Sequence, residues 1–342
     1  MIRFIIDRLI NRFLTLVVLS VVSFLLFEVI PQLLGFKLGF LFAGISQLSP
    51  KNAQAQLALV NTLVKEYGLN GPVPYRIFKF LVNMFTFNFG YSPTFKEPVM
   101  TVVEQYLPNT LILSGVSLIT TSILSIVLGV FAARSFLTSK RKAGDLSSSI
   151  FSIGTYFIPI IWIGPIIYFV FAVELGAFPI NLAFALNGGG THVYTGASYY
   201  LRYLWAATLP ILALTLIGFG HRQQLLRNNI IEEYTSAGYT SYARARGISP
   251  NQIFYKHAFR NAILPWVTQV GLDVAFLLSG IYFIEIIFQF PGLGYASVAA
   301  ATTLDIPFLI STTFLFGLYT LIVLFLLDFI YSILDPRIRL GE

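Results

Sequence analysis

Six stretches of the chain are apolar and nearly free of charge for close to twenty residues. They run about Leu9–Ile30, Leu111–Ala133, Ile150–Val173, Tyr203–Gly220, Ala262–Ile284 and Ile306–Leu327. A helix rises about 1.5 Å per residue, so about twenty residues match the ~30 Å hydrocarbon core of a bilayer. The pattern therefore predicts an all-α membrane protein with about six transmembrane helices. Pro159, Pro165 and Pro210 fall inside these stretches and are expected to be absorbed, because neighbouring helices can satisfy the carbonyls a proline frees. Two carboxylates interrupt the pattern: Glu28 near the far end of the first span and Asp273 within the fifth.

Composition agrees. The 342 residues are 56% hydrophobic and only 11% charged, against roughly 25% charged in a soluble domain. Such a chain needs lipid as part of its solvent. There is no cysteine, which excludes disulfides, thiolate metal sites and cysteine nucleophiles. The net charge of +7 does not point to nucleic acid, since no basic stretch is interleaved with aromatics in the way such binding requires. The first apolar run follows Arg3, Arg8 and Arg12 but is long for a signal peptide and lacks a small-residue cleavage site, so it is read as a first helix that stays attached.

The basic residues set an expected orientation. Arg134, Lys140, Arg141 and Lys142 lie between the second and third spans. Arg222, Arg227, Arg244, Arg246, Lys256 and Arg260 lie between the fourth and fifth, and Arg337 and Arg339 lie in the tail. With six spans these fall on one side with the N-terminal arginines, while the short loops opposite carry almost only Arg202. Both termini are thus expected in the cytoplasm of a multi-pass cell-membrane protein. The organisation that follows is a first helix with its cytoplasmic end over 1–30, an extracytoplasmic cap over 31–106, a transmembrane core over 107–334 and a cytoplasmic tail over 335–342. Within the cap, Leu57, Val60, Val64 and Tyr67 recur at helical spacing, and Gly68, Gly71, Pro72 and Pro74 then break the chain. The loop Glu174–Arg202, with Gly188–Gly190, reads as a solvated turn.

The stretch Ile230–Pro265, which overlaps the expected cytoplasmic loop 226–261, is too polar to span and too regular for a linker. Glu232–Arg246 reads as a helix with the small residues Ala237, Ala243 and Ala245. Gly247 fits the left-handed position after a helix end, and Ser249, Pro250 and Gln252 fit N-cap, first turn and capping box. Two short helices meeting at a rigid corner are expected. Local features alone leave two roles open: a connection with routine caps, or a mechanical part whose small residues admit a partner's groove.

The motifs favour the second. Tyr242–Pro265 reads YARARGISPNQIFYKHAFRNAILP, Glu285–Gly294 reads EIIFQFPGLG and Asp328–Arg339 reads DFIYSILDPRIR. In this order they resemble the coupling loop, the external re-entry after the fifth span and the terminus of binding-protein-dependent ABC importer permeases of the dipeptide/oligopeptide/nickel branch. Tyr67–Leu69, Asn88–Ser92 and Leu107–Thr110 resemble that branch as well. The resemblance implies a type I ABC importer permease fold with an extracytoplasmic loop domain after the first helix. It implies a second homologous permease subunit, two ABC ATPase subunits, an extracytoplasmic solute-binding protein and the lipid bilayer as partners. ATP and Mg would sit on the ATPases, because this chain has no phosphate-binding loop; no cofactor and no catalysis are expected of it. Tyr242, Ala243, Ala245, Arg246, Gly247, His257, Arg260 and Asn261 would form the ATPase-coupling loop and transmit closure of the ATPases to the spans.

For the translocation path the candidates are Asn109, Ser117 and Asp273. Asn109, Ser114, Ser117 and Thr121 make a polar stripe on the second span, which helix–helix contact explains equally well. Asp273 either lines the path or pairs with a basic or hydroxyl group. His257 has no neighbouring His and reads as a packing residue rather than a metal ligand. A secondary transporter would need its own ion site within an inverted repeat, and an intramembrane enzyme would need paired catalytic groups; neither is found. The expected solute is a short peptide, with an oligosaccharide as the alternative and a bare metal ion disfavoured.

Overall fold

The computed structural model describes residues 2–45, 52–138, 142–188, 194–236 and 238–334, with the side chains of 2–5, 274–280 and 329–334 excepted. Lys140, Arg141, Gly189, Gly190, His192 and Ala237 lie outside the described residues, as do Asp335, Arg337, Arg339 and the rest of the tail 335–342.

The described chain is almost wholly helical. It runs α1 (Ile2–Phe24), a π turn (Leu25–Val29), α2 (Ile30–Leu33), α3 (Leu38–Phe42), α4 (Ala53–Tyr67) and α5 (Val73–Phe85). A two-residue hairpin follows, β1 (Tyr91–Ser92) against β2 (Glu97–Pro98). Then come α6 (Val99–Thr138), α7 (Ala143–Phe157), α8 (Ile160–Tyr168) with a π turn (Phe169–Glu174), α9 (Leu182–Asn187) and α10 (Ala197–Ser236). The last elements are α11 (Gly238–Ala245), α12 (Pro250–Gln252), a third π turn (Ile253–Ala258), α13 (Phe259–Ile287), α14 (Leu293–Thr302) and α15 (Ile306–Leu334).

Among the described residues, four helical stretches are long and apolar enough to cross a membrane: Ile6–Leu33, Val99–Thr138, Ala197–Ser236 and Ile306–Asp328. A fifth arises if Ala143–Phe157 and Ile160–Glu174 count as one, but these meet at 102°. The third span expected from sequence is therefore broken rather than straight. Pro159 is the cause: it pushes Ile158 into extended geometry (ψ 119°) and itself stands at ψ 144°, so the helix cannot run through. The fifth expected span lies on α13, where the side chains of 274–280 are outside the described residues.

Two helices outrun their apolar stretches. α6 and α10 have 40 residues each, about 60 Å. α6 begins at Val99, inside the stretch expected to belong to the cap. α10 continues past Gly220 to Ser236, because no glycine or proline interrupts the polar sequence after Gly220. Arg222 and Arg227, read from sequence as loop residues, are thus helical.

The chain divides into two units. The first comprises 1–110 and 291–325. Its core joins Phe24, Phe42, Val103, Leu293 and Phe308. Asp305 caps α15, accepting from the Phe308 amide at 3.1 Å, and takes the Ser92 hydroxyl and the Thr94 amide as well. α4 carries the expected periodicity, buries Val60 and Leu63, and ends at Gly68 in left-handed geometry (φ +68°). The second unit comprises 111–290 and 326–342. α10 is its axis, packed by α7, α8, α9 and α13. The crossing with α7 is so close that a Cβ on Gly220 would stand 2.2 Å from the Ser152 carbonyl oxygen, so only glycine fits there.

Candidate functional site

The corner between α10 and α13 is built in the second unit. α11 ends in a Schellman motif: the Ile248 amide donates to Ala243 O at 3.1 Å and the Gly247 amide to Arg244 O at 3.0 Å. Gly247 holds φ +77°, and nothing lies within 4 Å of the position its Cβ would take. Its requirement is one of backbone geometry alone. Ser249 then caps the next helix, accepting from the Gln252 amide, with Pro250 in the first turn. These caps match the sequence reading. The lengths do not. The expected helix Glu232–Arg246 is the end of α10 followed by the short α11. The second helix is no short arm either: from Pro250 it runs through the π turn into α13, which contains Pro265.

Side-chain contacts lock the corner to both long helices. The Tyr239 hydroxyl on α11 donates to the Glu233 carboxylate on α10 and accepts from Asn261 Nδ2 on α13 at 3.1 Å. Burial and the bond to Glu233 push the Tyr239 phenol up to about 12, so it stays a donor at neutral pH. Arg244 donates to Tyr234 O at 2.8 Å and lies over the Tyr234 ring, which also packs against Phe254. Arg134 at the end of α6 donates to the Tyr255 hydroxyl at 3.0 Å. Arg227 on α10 pairs with Asp145 on α7 through two bonds of 2.5 and 2.6 Å.

Of the residues singled out by sequence, the structure gathers Tyr242, Ala243, Ala245, Arg246, Gly247, His257, Arg260 and Asn261 at this corner, with different roles. Tyr242 is 66% exposed, and Ala245, Arg246, Gly247 and Arg260 are exposed too. Ala243 is buried and cannot admit a partner's groove; its small side chain lets α11 close on its own chain. His257 stands against the Tyr239 ring at 6.5 Å between centroids. No group of three or more His, Cys, Asp or Glu able to hold a metal is found among the described residues. Tyr239, Glu233 and Tyr234 were not visible as site residues, because they lie upstream of the motif and act only through tertiary contact.

The three path candidates are not brought together. Asn109 belongs to the first unit, donating to Pro291 O at 2.6 Å. Ser117 lies in the second, wholly buried on the stripe that faces α10, where Thr120 meets Thr215 at 2.7 Å and a Cβ on Gly218 would touch Thr121. Asp273, for which pairing with a basic group was one of two readings, accepts from Arg222 Nε at 2.6 Å and from Gln269 Nε2 at 2.7 Å. Arg222 is 1% exposed, so the carboxylate's first task is to neutralise a buried guanidinium.

A family described as "Binding-protein-dependent transport system inner membrane component" matches residues 125–340, a stretch that contains the whole corner. The chain is 30% identical to the "Dipeptide transport system permease protein DppB" of Lactococcus lactis subsp. cremoris, over 99% of this chain and 100% of that one. It is 32% identical to the "Oligopeptide transport system permease protein AppB" of Bacillus subtilis, over 85% and 88% of the two chains. It is 30% identical to the Bacillus subtilis "Dipeptide transport system permease protein DppB", over 100% and 99%. The chain therefore belongs to the family of inner-membrane components of binding-protein-dependent transport systems, as a multi-pass permease rather than a catalytic ATPase.

Proposed function

We propose that this chain is the membrane-spanning half of a peptide importer driven by ATP hydrolysis on separate subunits. The carrying observation is similarity along the entire chain to permeases named for dipeptide and oligopeptide transport. The oligosaccharide alternative gains no support from those relatives. In this reading the chain has six spans, with the bent α7–α8 pair and α13 supplying two of them. Both termini are cytoplasmic, and the segment after the first helix forms an extracytoplasmic domain that meets a solute-binding protein. A second homologous permease and two ATPases complete the assembly. The exposed face around Tyr242, Arg246 and Gly247 docks an ATPase, and the contacts of Tyr239 and Arg244 pass its motion to α10 and α13.

The chain would be reconstituted in proteoliposomes with the second permease, ATPases and binding protein, and offered labelled dipeptide, longer peptide, oligosaccharide or nickel. ATP-dependent accumulation of peptide is the expected outcome. Uptake of nickel or oligosaccharide without peptide would overturn the solute assignment, and peptide uptake independent of ATP and the ATPases would overturn the mechanism.

A further inference from the structure

The segment following the first span contains a helix whose surface is wrong for water. α5 presents Tyr75, Phe78 and Val82 on its outward face, and Phe78 is 66% exposed. Both of its cations are drawn off that face. Arg76, 2% exposed, donates to Glu28 Oε2 at 2.9 Å and to Gln32 Oε1 at 2.6 Å. Lys79 turns back to reach the Lys65 carbonyl at 3.1 Å, as a lysine does when its stem lies in an apolar layer and its amine does not.

Its neighbours set its depth. α5 runs antiparallel to the first span: Arg76 meets Glu28, Phe80 stacks on Phe24 at 5.5 Å, and Phe85 meets Phe13 at 5.2 Å. Phe85 also meets Phe314, well inside α15. Thirteen residues of helix cover about 20 Å, so a helix that starts beside Glu28 ends near the middle of a ~30 Å core. The first span's own exposed residues, among them Phe13, Val18 and Val22, continue the apolar surface of α5.

Three amides at the turn find acceptors within the chain, as lipid favours. The amides of Thr86, Phe87 and Asn88 donate to Val82, Met84 and Asn83 carbonyls. On the return, Phe89 O accepts the Tyr67 hydroxyl at 2.9 Å and Gly90 O accepts the Val99 amide at 2.8 Å.

We infer that α5 and the return through Gly90 form a re-entrant hairpin inserted to about mid-bilayer beside the first span, with Tyr75, Phe78 and Val82 in contact with lipid acyl chains. The segment between the first and second spans is then part membrane anchor, not wholly external. The inference rests on Ile6–Leu33 being a membrane span, and not on the solute or on which end of that helix faces outward.

The chain has no cysteine, so single nitroxide labels can be placed at Phe78→Cys and Val82→Cys in the full chain in lipid nanodiscs. Val18→Cys serves as the lipid reference and Gln54→Cys, on the exposed side of α4, as the aqueous one. The expected result is strong collision with oxygen and weak collision with a water-soluble nickel chelate at Phe78 and Val82, as at Val18, with Val82 deeper than Phe78. Collision with the nickel chelate at the level of Gln54 would overturn the inference. Low accessibility to both reagents would overturn the lipid contact by showing a protein cover. The conservative Phe78→Trp should add fluorescence quenched by lipids brominated along their acyl chains beyond that of the three native tryptophans; unquenched added fluorescence would overturn it equally.

Discussion

Gly247 is required for one reason, and that makes it a clean probe. Its φ of +77° lies where a Cβ is strained, and no neighbouring atom approaches the site. A β-branched residue there costs on the order of 1–3 kcal/mol in the corner without touching the spans. Gly247→Val is expected to leave membrane accumulation unchanged and to reduce ATP-driven uptake severely. Gly247→Asn, which tolerates left-handed geometry, should retain most transport. Uptake by the valine variant at the unsubstituted rate would remove the corner from the coupling path. The pair Arg222–Asp273 is a second residue-scale case. Asp273→Asn leaves the buried Arg222 guanidinium without its partner, a loss of about 3 kcal/mol, while Arg222→Met leaves a part-exposed carboxylate still bonded by Gln269 and should cost less. The double variant removes both charges and should recover much of the apparent melting temperature in detergent. Equal melting of single and double variants would show that the pair is not coupled.

At the scale of elements, sequence was informative where local chemistry decides. The caps at Gly247 and Ser249 were legible because only particular residues fit left-handed and N-cap geometry. The α4 periodicity, ending at Gly68, was legible for the same reason. Helix length was not legible. Hydropathy marks where a helix meets lipid, not where it stops, so α10 ran past Gly220 and the arginines after it became helical partners of Asp145 and Asp273. Pro159 was expected to be absorbed within its span, but its restriction of Ile158 turned the chain through 102°. The site partners were hidden because Tyr239 and Glu233 matter only once α10, α11 and α13 converge. Tyr239→Phe tests that convergence: it deletes the hydroxyl between Glu233 and Asn261 and leaves the ring against His257. Amide exchange across Gly238–Ala245 should accelerate while that of α10 near Gly220 does not change. Unaltered exchange in α11 would show that the tyrosine bond does not hold the corner.

For the molecule as a whole, orientation is the property on which the proposed mechanism depends, and charge supplies its physical basis. Lys142, Arg134, Arg227, Arg244, Arg246 and Arg260 gather toward the Ser236 end of α10 or the corner beyond it. Arg227 lies 5.2 Å from the ring of Phe136, near the end of α6. At the other end of α10, Arg202 reaches the Ala185 carbonyl of α9 at 3.4 Å. Thr138 and Asn187, both exposed, therefore belong to opposite ends of a helix about 60 Å long. Cationic side chains near span ends tend to be retained in the cytoplasm, which predicts Thr138 on the inside and Asn187 on the outside. Single cysteines at these positions in the otherwise cysteine-free chain can be probed in intact cells with a membrane-impermeant maleimide. Asn187→Cys should label in intact cells and Thr138→Cys only after permeabilisation. The reverse pattern would place the corner outside, where no ATP-hydrolysing partner could reach it, and would end the coupling assignment for Tyr242, Arg246 and Gly247 together.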